Sequence, residues 1–293
     1  MRAALVISLV LLMTLAARAA EGPVAVLNAL SRLEPARVDT GLAYAEGARH
    51  RLDVYRPASG NGTDLPVVVF FYGGSWDSGE RAMYRFVGAA LASRGMVVII
   101  PDYRVYPQVR FPTFVEDGAR AVRWAKTHAA RYGGDPDRLI LMGHSAGAQI
   151  AALLSLDPKW LGAVGLDPQR DVAGLVGLAG PYDFLPLRSA RLKAIFGPKA
   201  ERWRSQPIHF ATRAAPPAFL AAGERDTTVD PGNSTRLAER IRAKGGEADV
   251  RLYKGVDHRL IIGAFSPPLR LLAPALNDVT DFVAAVPARG GAR

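Results

Sequence analysis

The chain has 293 residues, of which 49% are hydrophobic and 22% charged, the ordinary balance of a globular protein with one large α/β domain or two small ones. The formal charge is +10, but Lys and Arg are scattered without a basic run, which argues against nucleic-acid binding. The absence of cysteine excludes a thiol nucleophile, a disulfide and a cysteine-ligated metal site.

The N-terminus has the pattern of an export signal. Arg2 precedes an apolar run over residues 5–15, and Ala17-Arg18-Ala19 has the small-x-small form of a cleavage site. The run is shorter than the roughly 20 residues that a membrane-spanning helix needs. We therefore predict cleavage of residues 1–19 and a mature protein in the periplasm or outside the cell, without a stable membrane anchor. The oligomeric state is left open.

Strands and helices alternate from about residue 48, which is typical of a parallel sheet with helices on both faces. Residues 51–55 alternate polar and apolar side chains, as an edge strand would, whereas 65–72 and 96–101 are continuous apolar runs typical of buried strands. The other predicted strands cover 139–142, 172–178, 217–222 and 249–253, and the predicted helices cover 80–94, 114–132, 146–154, 233–244 and 268–286.

Residues 181–215 interrupt this alternation with several prolines and many basic side chains. Prolines punctuate regular structure, so we predict a small cap insertion with short helices in this segment. No repeat or linker divides the chain. The sequence thus predicts a single α/β domain over residues 20–293, with a mostly parallel central sheet and a cap at about 181–215.

The strongest chemical motif is Gly143-His144-Ser145-Ala146-Gly147, between the predicted strand 139–142 and the predicted helix 146–154. A serine in such a tight strand-to-helix turn is exposed above the sheet, and small neighbours prevent collisions. The turn places the hydroxyl at a helix N-terminus, where free N–H groups stabilise negative charge. Ser145 is therefore the predicted nucleophile, and we expect the His144 side chain to point away from its hydroxyl.

A serine hydroxyl needs a general base, and the base needs an acid that holds its tautomer. His258 follows the last predicted strand, where this arrangement places its base. Asp226 lies just beyond the strand 217–222 and is the predicted acid. Asp230 is the alternative, although it is better placed to cap the following helix.

The tetrahedral intermediate of acyl transfer also needs hydrogen-bond donors for its oxyanion. Tyr72-Gly73-Gly74-Ser75-Trp76 directly follows the predicted strand 65–72, and paired glycines allow the backbone to approach a substrate oxygen. We predict an oxyanion hole formed by the N–H groups of Gly74, Ser75 and Ala146. The alternative is a plain Gly-Gly turn without a catalytic role.

At this point the chain resembles the α/β-hydrolase superfamily. It is similar to hormone-sensitive-lipase-like carboxylesterases and to the branch with feruloyl-esterase-like, kynurenine-formamidase-like and isoprenylcysteine-methylesterase-like proteins. The resemblance covers roughly residues 48–260 and rests on the motifs above, on Asp102-Tyr103-Arg104, on residues 132–136 and on Asp257-His258. It implies the α/β-hydrolase fold, carboxylesterase activity, the triad Ser145, Asp226 and His258, and no cofactor or metal.

The chain departs from this family at Tyr72, where many relatives carry histidine, and at Ser75, where many carry a third glycine. The backbone supplies the donors, so we expect activity to survive, and Tyr72 can donate a hydrogen bond that braces the loop. The acyl pocket is expected to differ in shape. Four large aromatic residues are candidates to line the substrate cleft, with a plain core role as the alternative: Trp76, Tyr106, Phe184 and Trp203.

Asp102, Arg104 and Asp117 are interpreted as a buried brace beneath the loops. The combined motifs predict a serine hydrolase that acts on small-molecule esters. One alternative is an amide or formamide hydrolase or small peptidase with the same triad. Another is a non-catalytic binding module on a hydrolase scaffold.

Overall fold

The computed structural model of the protein describes residues 22–59 and 62–289. Its strands are β1 (Ala36–Ala43), β2 (Arg51–Pro57), β3 (Leu65–Phe71), β4 (Val97–Pro101), β5 (Gly134–His144), β6 (Gly174–Leu178), β7 (Ala218–Gly223) and β8 (Ala248–Tyr253). They form one eight-stranded sheet with the order β1-β2-β4-β3-β5-β6-β7-β8. β2 is antiparallel to both of its neighbours, and all other pairs are parallel. The predicted α/β class with a mostly parallel sheet is confirmed.

The central strands are buried on both faces, which explains their unbroken apolar sequences. All residues of β4 and β6 are buried, as are the last five of β3. Their side chains therefore pack against helices above and below the sheet. The apolar runs had predicted these strands to within two residues at each end.

The prediction that residues 51–55 form an edge strand is wrong, because β1 lies outside β2. The alternation of polar and apolar residues had suggested that Asp53 faces solvent, but its side chain is buried. Its Oδ1 accepts hydrogen bonds from the backbone N–H of Gly41 at 2.9 Å and from Arg81 Nε at 2.8 Å. A buried carboxylate with such partners looks like a solvent-facing residue in a sequence pattern.

The helices in the described residues flank the sheet. They are α1 (Pro23–Leu30), α2 (Arg85–Ala92), α3 (Thr113–His128), α4 (Ala146–Leu156), α5 (Pro158–Gly162), α6 (Pro168–Asp171), α7 (Ala190–Phe196), α8 (Gly232–Ala243), α9 (Leu260–Gly263) and α10 (Ala275–Ala285). The helix expected over 268–286 is shorter because Pro267 and Pro268 form a separate 3-10 turn and Pro274 caps α10.

The segment expected to form the cap contains α7 and two 3-10 helices, Lys199–Ser205 and Pro207–Phe210. Its contact with the body includes a hydrogen bond from the Phe111 backbone N–H to the Ile195 carbonyl at 3.0 Å. The predicted signal segment, residues 1–19, lies outside the described residues. Among the described residues, no helix combines the length and apolar character needed to span a bilayer.

Candidate active site

The serine turn lies between β5 and α4, with Ser145 as the residue that joins them. Ser145 has φ 55° and ψ −125°, a left-handed conformation that is strained for a residue with a side chain. A Cβ atom at Gly143 would lie 2.2 Å from the Gly147 carbonyl oxygen, and one at Gly147 would lie 2.1 Å from that of Phe71. Only glycine fits at these two positions, so the tight turn depends on both.

Three side chains from different loops form a continuous hydrogen-bonded chain. His258 Nε2 lies 2.9 Å from Ser145 Oγ, and His258 Nδ1 lies 2.7 Å from Asp226 Oδ2. Because a carboxylate only accepts hydrogen bonds, Nδ1 carries the proton and Nε2 is free to accept the Ser145 hydroxyl proton. The structure thus brings together the three residues that the sequence predicted as nucleophile, acid and base.

Asp226 and Asp230, the alternative acid, have different hydrogen-bond partners in the structure. The Asp226 side chain is fully buried, and its Oδ1 accepts the backbone N–H groups of Thr228 at 2.8 Å and Val229 at 2.9 Å. Asp230 instead accepts the Gly232 N–H at 3.0 Å and pairs with a nearby arginine at the start of α8. Asp230 therefore stabilises the start of α8, which is the role that the sequence favoured for it over that of the acid.

The loop after β3 crosses directly over the serine turn. A Cβ atom at Gly73 would lie 3.0 Å from Ser145 Cβ, so the two backbones are in contact. Three consecutive residues have positive φ, at 140° for Gly74, 50° for Ser75 and 60° for Trp76. The Gly74 carbonyl is turned into the loop, where it accepts the backbone N–H groups of residues 77 and 78 at 3.0 Å. Backbone held in this strained form by its surroundings is typical of functional loops.

Tyr72 anchors this loop from below. Its hydroxyl donates to Asp102 Oδ1 at 3.0 Å and accepts from Arg49 Nη2 at 2.8 Å. The ring stacks on Tyr103 with centroids 4.7 Å apart, and the Tyr103 hydroxyl donates to the Tyr72 carbonyl at 2.7 Å. Burial, and then the Asp102 carboxylate, raise the pKa of Tyr72 well above its usual value. The hydroxyl therefore stays protonated and braces the loop, as expected for the residue that departs from the family pattern.

The expected brace of Asp102, Arg104 and Asp117 is divided into two separate networks. Asp102 pairs with Arg81, which donates through both its backbone N–H and its Nη1. Asp117 receives Arg104 Nε at 2.8 Å and Nη2 at 2.7 Å, and His50 Nε2 lies 3.0 Å away. Burial alone would raise the pKa of Asp117, but the Arg104 guanidinium holds it below its usual range. The prediction that these residues are buried and structural is consistent with both networks.

The four candidate cleft residues occupy different surroundings. Trp76 is buried, stacks on the half-buried Phe184 with centroids 5.7 Å apart, and receives the Tyr106 backbone N–H on its carbonyl at 2.8 Å. Trp203 is 48% exposed and stacks on Phe210. Trp76 is part of the loop after β3, and Phe184 and Tyr106 contact it, whereas Trp203 is exposed on the cap segment.

Sequence reasoning missed Gln149, which is fully buried on α4. Its Oε1 accepts Trp76 Nε1 at 3.0 Å, and its Nε2 donates to the Ser205 carbonyl at 2.8 Å. This one amide links α4, the loop after β3 and the cap segment. No local signal in the sequence points to this role, because the two partners of Gln149 lie 73 and 56 residues away along the chain.

Charged residues also join the cap segment to the loop. Arg191 Nε lies 2.6 Å from Asp77 Oδ2, and Asp77 immediately follows Trp76.

Within the described residues, no group of three histidine, aspartate or glutamate side chains could hold a metal ion. The groups that the structure brings to the Ser145 hydroxyl are the His258 imidazole and, behind it, the Asp226 carboxylate.

Comparisons with known proteins show the family of the chain. The family model described as BD-FAE matches residues 52–241. A probable isoprenylcysteine alpha-carbonyl methylesterase from Arabidopsis thaliana is 32% identical over 243 residues, which cover 75% of this chain and 51% of the relative. Esterase LipC from Mycobacterium tuberculosis is 32% identical over 218 residues, covering 68% and 54%. The chain thus spans about half the length of these curated relatives.

Among solved structures, the esterase of Pyrobaculum calidifontis superposes with a TM-score of 0.76 at 24% identity. The match covers 89% of this chain and 90% of that one. At this identity the likeness concerns the fold, and it confirms the predicted α/β-hydrolase fold. The predicted resemblance to carboxylesterases of this fold is confirmed by the BD-FAE family match and by the methylesterase and esterase relatives.

Proposed function

We propose that this chain, which belongs to the BD-FAE family, hydrolyses carboxylic esters of small molecules through an acyl-enzyme on Ser145. The observation that carries the proposal is the hydrogen-bonded chain from Ser145 Oγ through His258 to Asp226, with distances of 2.9 Å and 2.7 Å. Such an arrangement next to a strained serine turn activates a hydroxyl that is otherwise a poor nucleophile.

The reaction proceeds in two halves. His258 Nε2 accepts the Ser145 hydroxyl proton as Oγ attacks the ester carbonyl, and Asp226 stabilises the resulting imidazolium through Nδ1–H. The tetrahedral intermediate collapses when its C–O bond to the alcohol breaks, and His258 gives the proton to the leaving oxygen. Water then attacks the acyl-enzyme, with His258 again accepting and returning a proton, and the carboxylic acid leaves.

The oxyanion hole of this proposal consists of the N–H groups of Gly74, Ser75 and Ala146. Two facts support it. The loop at residues 73–76 touches the serine turn, and Ala146 is the first residue of α4, whose N-terminal N–H groups point toward developing negative charge. Losing one donor of this kind typically reduces kcat by about 100- to 1,000-fold.

The proposed substrate cleft lies under the cap segment, beside Trp76, Phe184 and Tyr106. The Trp76 indole is fixed at Nε1 by Gln149 and covered by rings on two sides, since Phe196 packs edge-on at 4.8 Å. We place Trp203 at the outer rim because of its exposure. Aromatic walls with few polar groups suit the apolar part of an ester.

We further propose that the protein is exported and that residues 1–19 are removed. The support is the apolar run over residues 5–15 and the Ala17-Arg18-Ala19 cleavage pattern. Mass spectrometry of protein recovered from the host's periplasm and medium gives the mature N-terminus directly. A chain that keeps residues 1–19 in the cytoplasm would contradict this part of the proposal.

The activity is tested with purified protein, a series of p-nitrophenyl esters from acetate to decanoate, and the matching p-nitroanilides. We expect turnover of the esters, stoichiometric labelling of Ser145 by a fluorophosphonate probe, and loss of both in Ser145→Ala. Faster cleavage of the anilides would assign an amidase instead. Absence of labelling in folded wild-type protein would show a non-catalytic scaffold.

A further inference from the structure

His144 is a buried titratable residue that the proposed reaction does not use. It lies directly before Ser145 in the chain, yet its Nε2 is 2.9 Å from the backbone carbonyl oxygen of His258. The two imidazole rings also pack together, with centroids 4.9 Å apart and an angle of 42°. His144 thus joins the nucleophile turn to the backbone of the proposed base, across 114 positions of sequence.

The contact determines the tautomer of His144. A carbonyl oxygen only accepts hydrogen bonds, so His144 Nε2 must carry the proton and Nδ1 must be bare. Nδ1 is itself buried and has no hydrogen-bond partner among the described residues. Burial, together with the neighbouring His258, lowers the pKa of His144 to about 3. The side chain is therefore a neutral N–H donor beside a residue that becomes an imidazolium during turnover.

The His258 carbonyl is also distinct from those on either side of it. The Asp257 carbonyl accepts the Ile261 N–H at 3.3 Å, and the Arg259 carbonyl accepts the Gly263 N–H at 2.9 Å, both in the helical pattern that leads into α9. The His258 carbonyl is instead turned toward His144. The short helix after the base therefore leaves this carbonyl for a partner on the nucleophile turn.

We propose that His144 is a positioning residue, whose Nε2–H holds the backbone of His258 so that its imidazole stays between Ser145 and Asp226. The inference rests on the proposed function of that triad. A neutral donor serves this role better than a cation, because a positive charge at this distance would oppose the imidazolium that forms on His258. The contact acts through His258 and needs no contact with substrate.

The test compares His144→Leu, which removes the donor, with His144→Gln, which keeps a neutral N–H donor. Misplacement of a catalytic group by about 1 Å costs on the order of 100-fold in rate, so we expect kcat of the Leu variant to fall between tenfold and 100-fold. Because substrate contacts are intact, KM should change less than about twofold. The Gln variant should recover most of kcat.

Each rate is divided by the concentration of active sites, titrated with a fluorophosphonate, so that misfolded protein does not count. His128→Leu is the matched control, since His128 is half-buried at the end of α3, stacks on Trp124 and precedes β5, the strand whose other end leads into Ser145. It should leave kcat unchanged. Equal kcat per active site in wild-type protein and the Leu variant would overturn the positioning role.

A second measurement uses the unmodified protein and keeps the inference testable if both variants fail to fold. In long-range 1H–15N spectra of histidine-labelled protein, His144 should be neutral with its proton on Nε2 from pH 5 to 8. A proton on Nδ1, or a charged ring in that range, would overturn the inference. Wild-type protein that neither turns over esters nor reacts with the probe would refute the proposed function, and the spectra would still test the contact.

Discussion

Replacing Asp226 by asparagine should disable the proposed base without disturbing the fold. The Oδ1 side of Asp226 faces two backbone N–H donors, at 2.8 Å from Thr228 and 2.9 Å from Val229. An asparagine must therefore place its carbonyl oxygen there and turn its NH2 group toward His258 Nδ1, which now lies 2.7 Å from Oδ2. Nδ1 then has to accept, so the imidazole proton moves to Nε2 and faces Ser145 as a donor.

A base with the wrong tautomer costs about 10⁴-fold in kcat, or about 5 kcal/mol of transition-state stabilisation at 1.36 kcal/mol per decade. Steady-state hydrolysis of a p-nitrophenyl ester measures this loss, and denaturant unfolding should show a change in stability below about 1.5 kcal/mol, because both backbone hydrogen bonds are kept. The loss in rate should therefore be far larger than the loss in stability.

Asp230→Asn is the matched control, four residues away on the same loop. Asp230 accepts the N–H of Gly232, the first residue of α8, at 3.0 Å and pairs with Arg236 at 3.0 Å near the surface, so kcat should stay within about twofold of wild type. If the variant at position 226 kept a tenth or more of wild-type kcat, or if the variant at 230 lost more than the variant at 226, the assignment of the acid would be refuted.

Three further predictions concern residues around the triad. Tyr72→Phe removes a hydroxyl that donates to the buried Asp102 carboxylate, so unfolding free energy should fall by about 2 kcal/mol, while kcat should fall less than about tenfold because the backbone donors remain. Asp117→Asn leaves the Arg104 guanidinium without its carboxylate, and breaking such a buried pair should cost about 3 kcal/mol in denaturant unfolding. His144, whose folded pKa of about 3 lies below the ordinary 6.5, binds its proton mainly in the unfolded state, so acid from pH 7 to pH 5 should cost about 2 kcal/mol more in wild type than in His144→Gln.

Each of these has an outcome that would contradict it. Wild-type stability in Tyr72→Phe would mean that the hydroxyl does not brace the loop. An unchanged unfolding free energy in Asp117→Asn would show that its arginine partner is solvated in the folded protein. For His144, the direction of the pH dependence is decisive, because a folded pKa below the unfolded value makes the free energy of unfolding fall as pH falls below 6.5. Parallel pH curves for wild type and the Gln variant would indicate an ordinary histidine.

The positions of the site residues were predictable because each lies at a strand end or turn with its own local signal. Ser145 has small neighbours on both sides, and Asp226 and His258 follow β7 and β8, where the carboxyl ends of parallel strands place their loops at the same edge of the sheet. These signals need no knowledge of distant contacts. The structure accordingly brings together the three side chains in the order that the sequence predicted.

What could not be predicted depends on contacts between distant segments. The Gln149 amide is useful only because Trp76 and Ser205 come to opposite ends of it, and no spacing rule connects those three positions. Arg49 likewise contacts Tyr72 from 23 residues away. β1 was missed because its burial alternates irregularly and it pairs on one side only, with β2. Polar partners of this kind become visible only once the fold has placed them.

The sheet by itself does not bring the base to the nucleophile. Ser145 follows β5 and His258 follows β8, and three strand spacings separate these strands by about 14 Å. The loop after β8 must therefore fold back over the end of β7, and it does so at Gly223, where a Cβ atom would lie 2.1 Å from the Val256 carbonyl. Backbone bonds hold the crossing, from Arg225 N–H to the Val256 carbonyl at 2.9 Å.

Because the loop after β8 crosses the sheet in this way, the side chain at position 144, directly before the nucleophile, can contact the backbone of the base. Beyond Val256 the loop passes the end of β6 and reaches β5, where the His144 side chain meets its backbone at the His258 carbonyl. The loop is thus held at two points. At β7 the missing side chain of Gly223 leaves room for the loop, and the Arg225 N–H binds it. At β5 it is bound by the neutral N–H of His144. Because the imidazole extends from the second of these points, the 2.9 Å contact with Ser145 Oγ depends on the backbone of the loop being held close to β5.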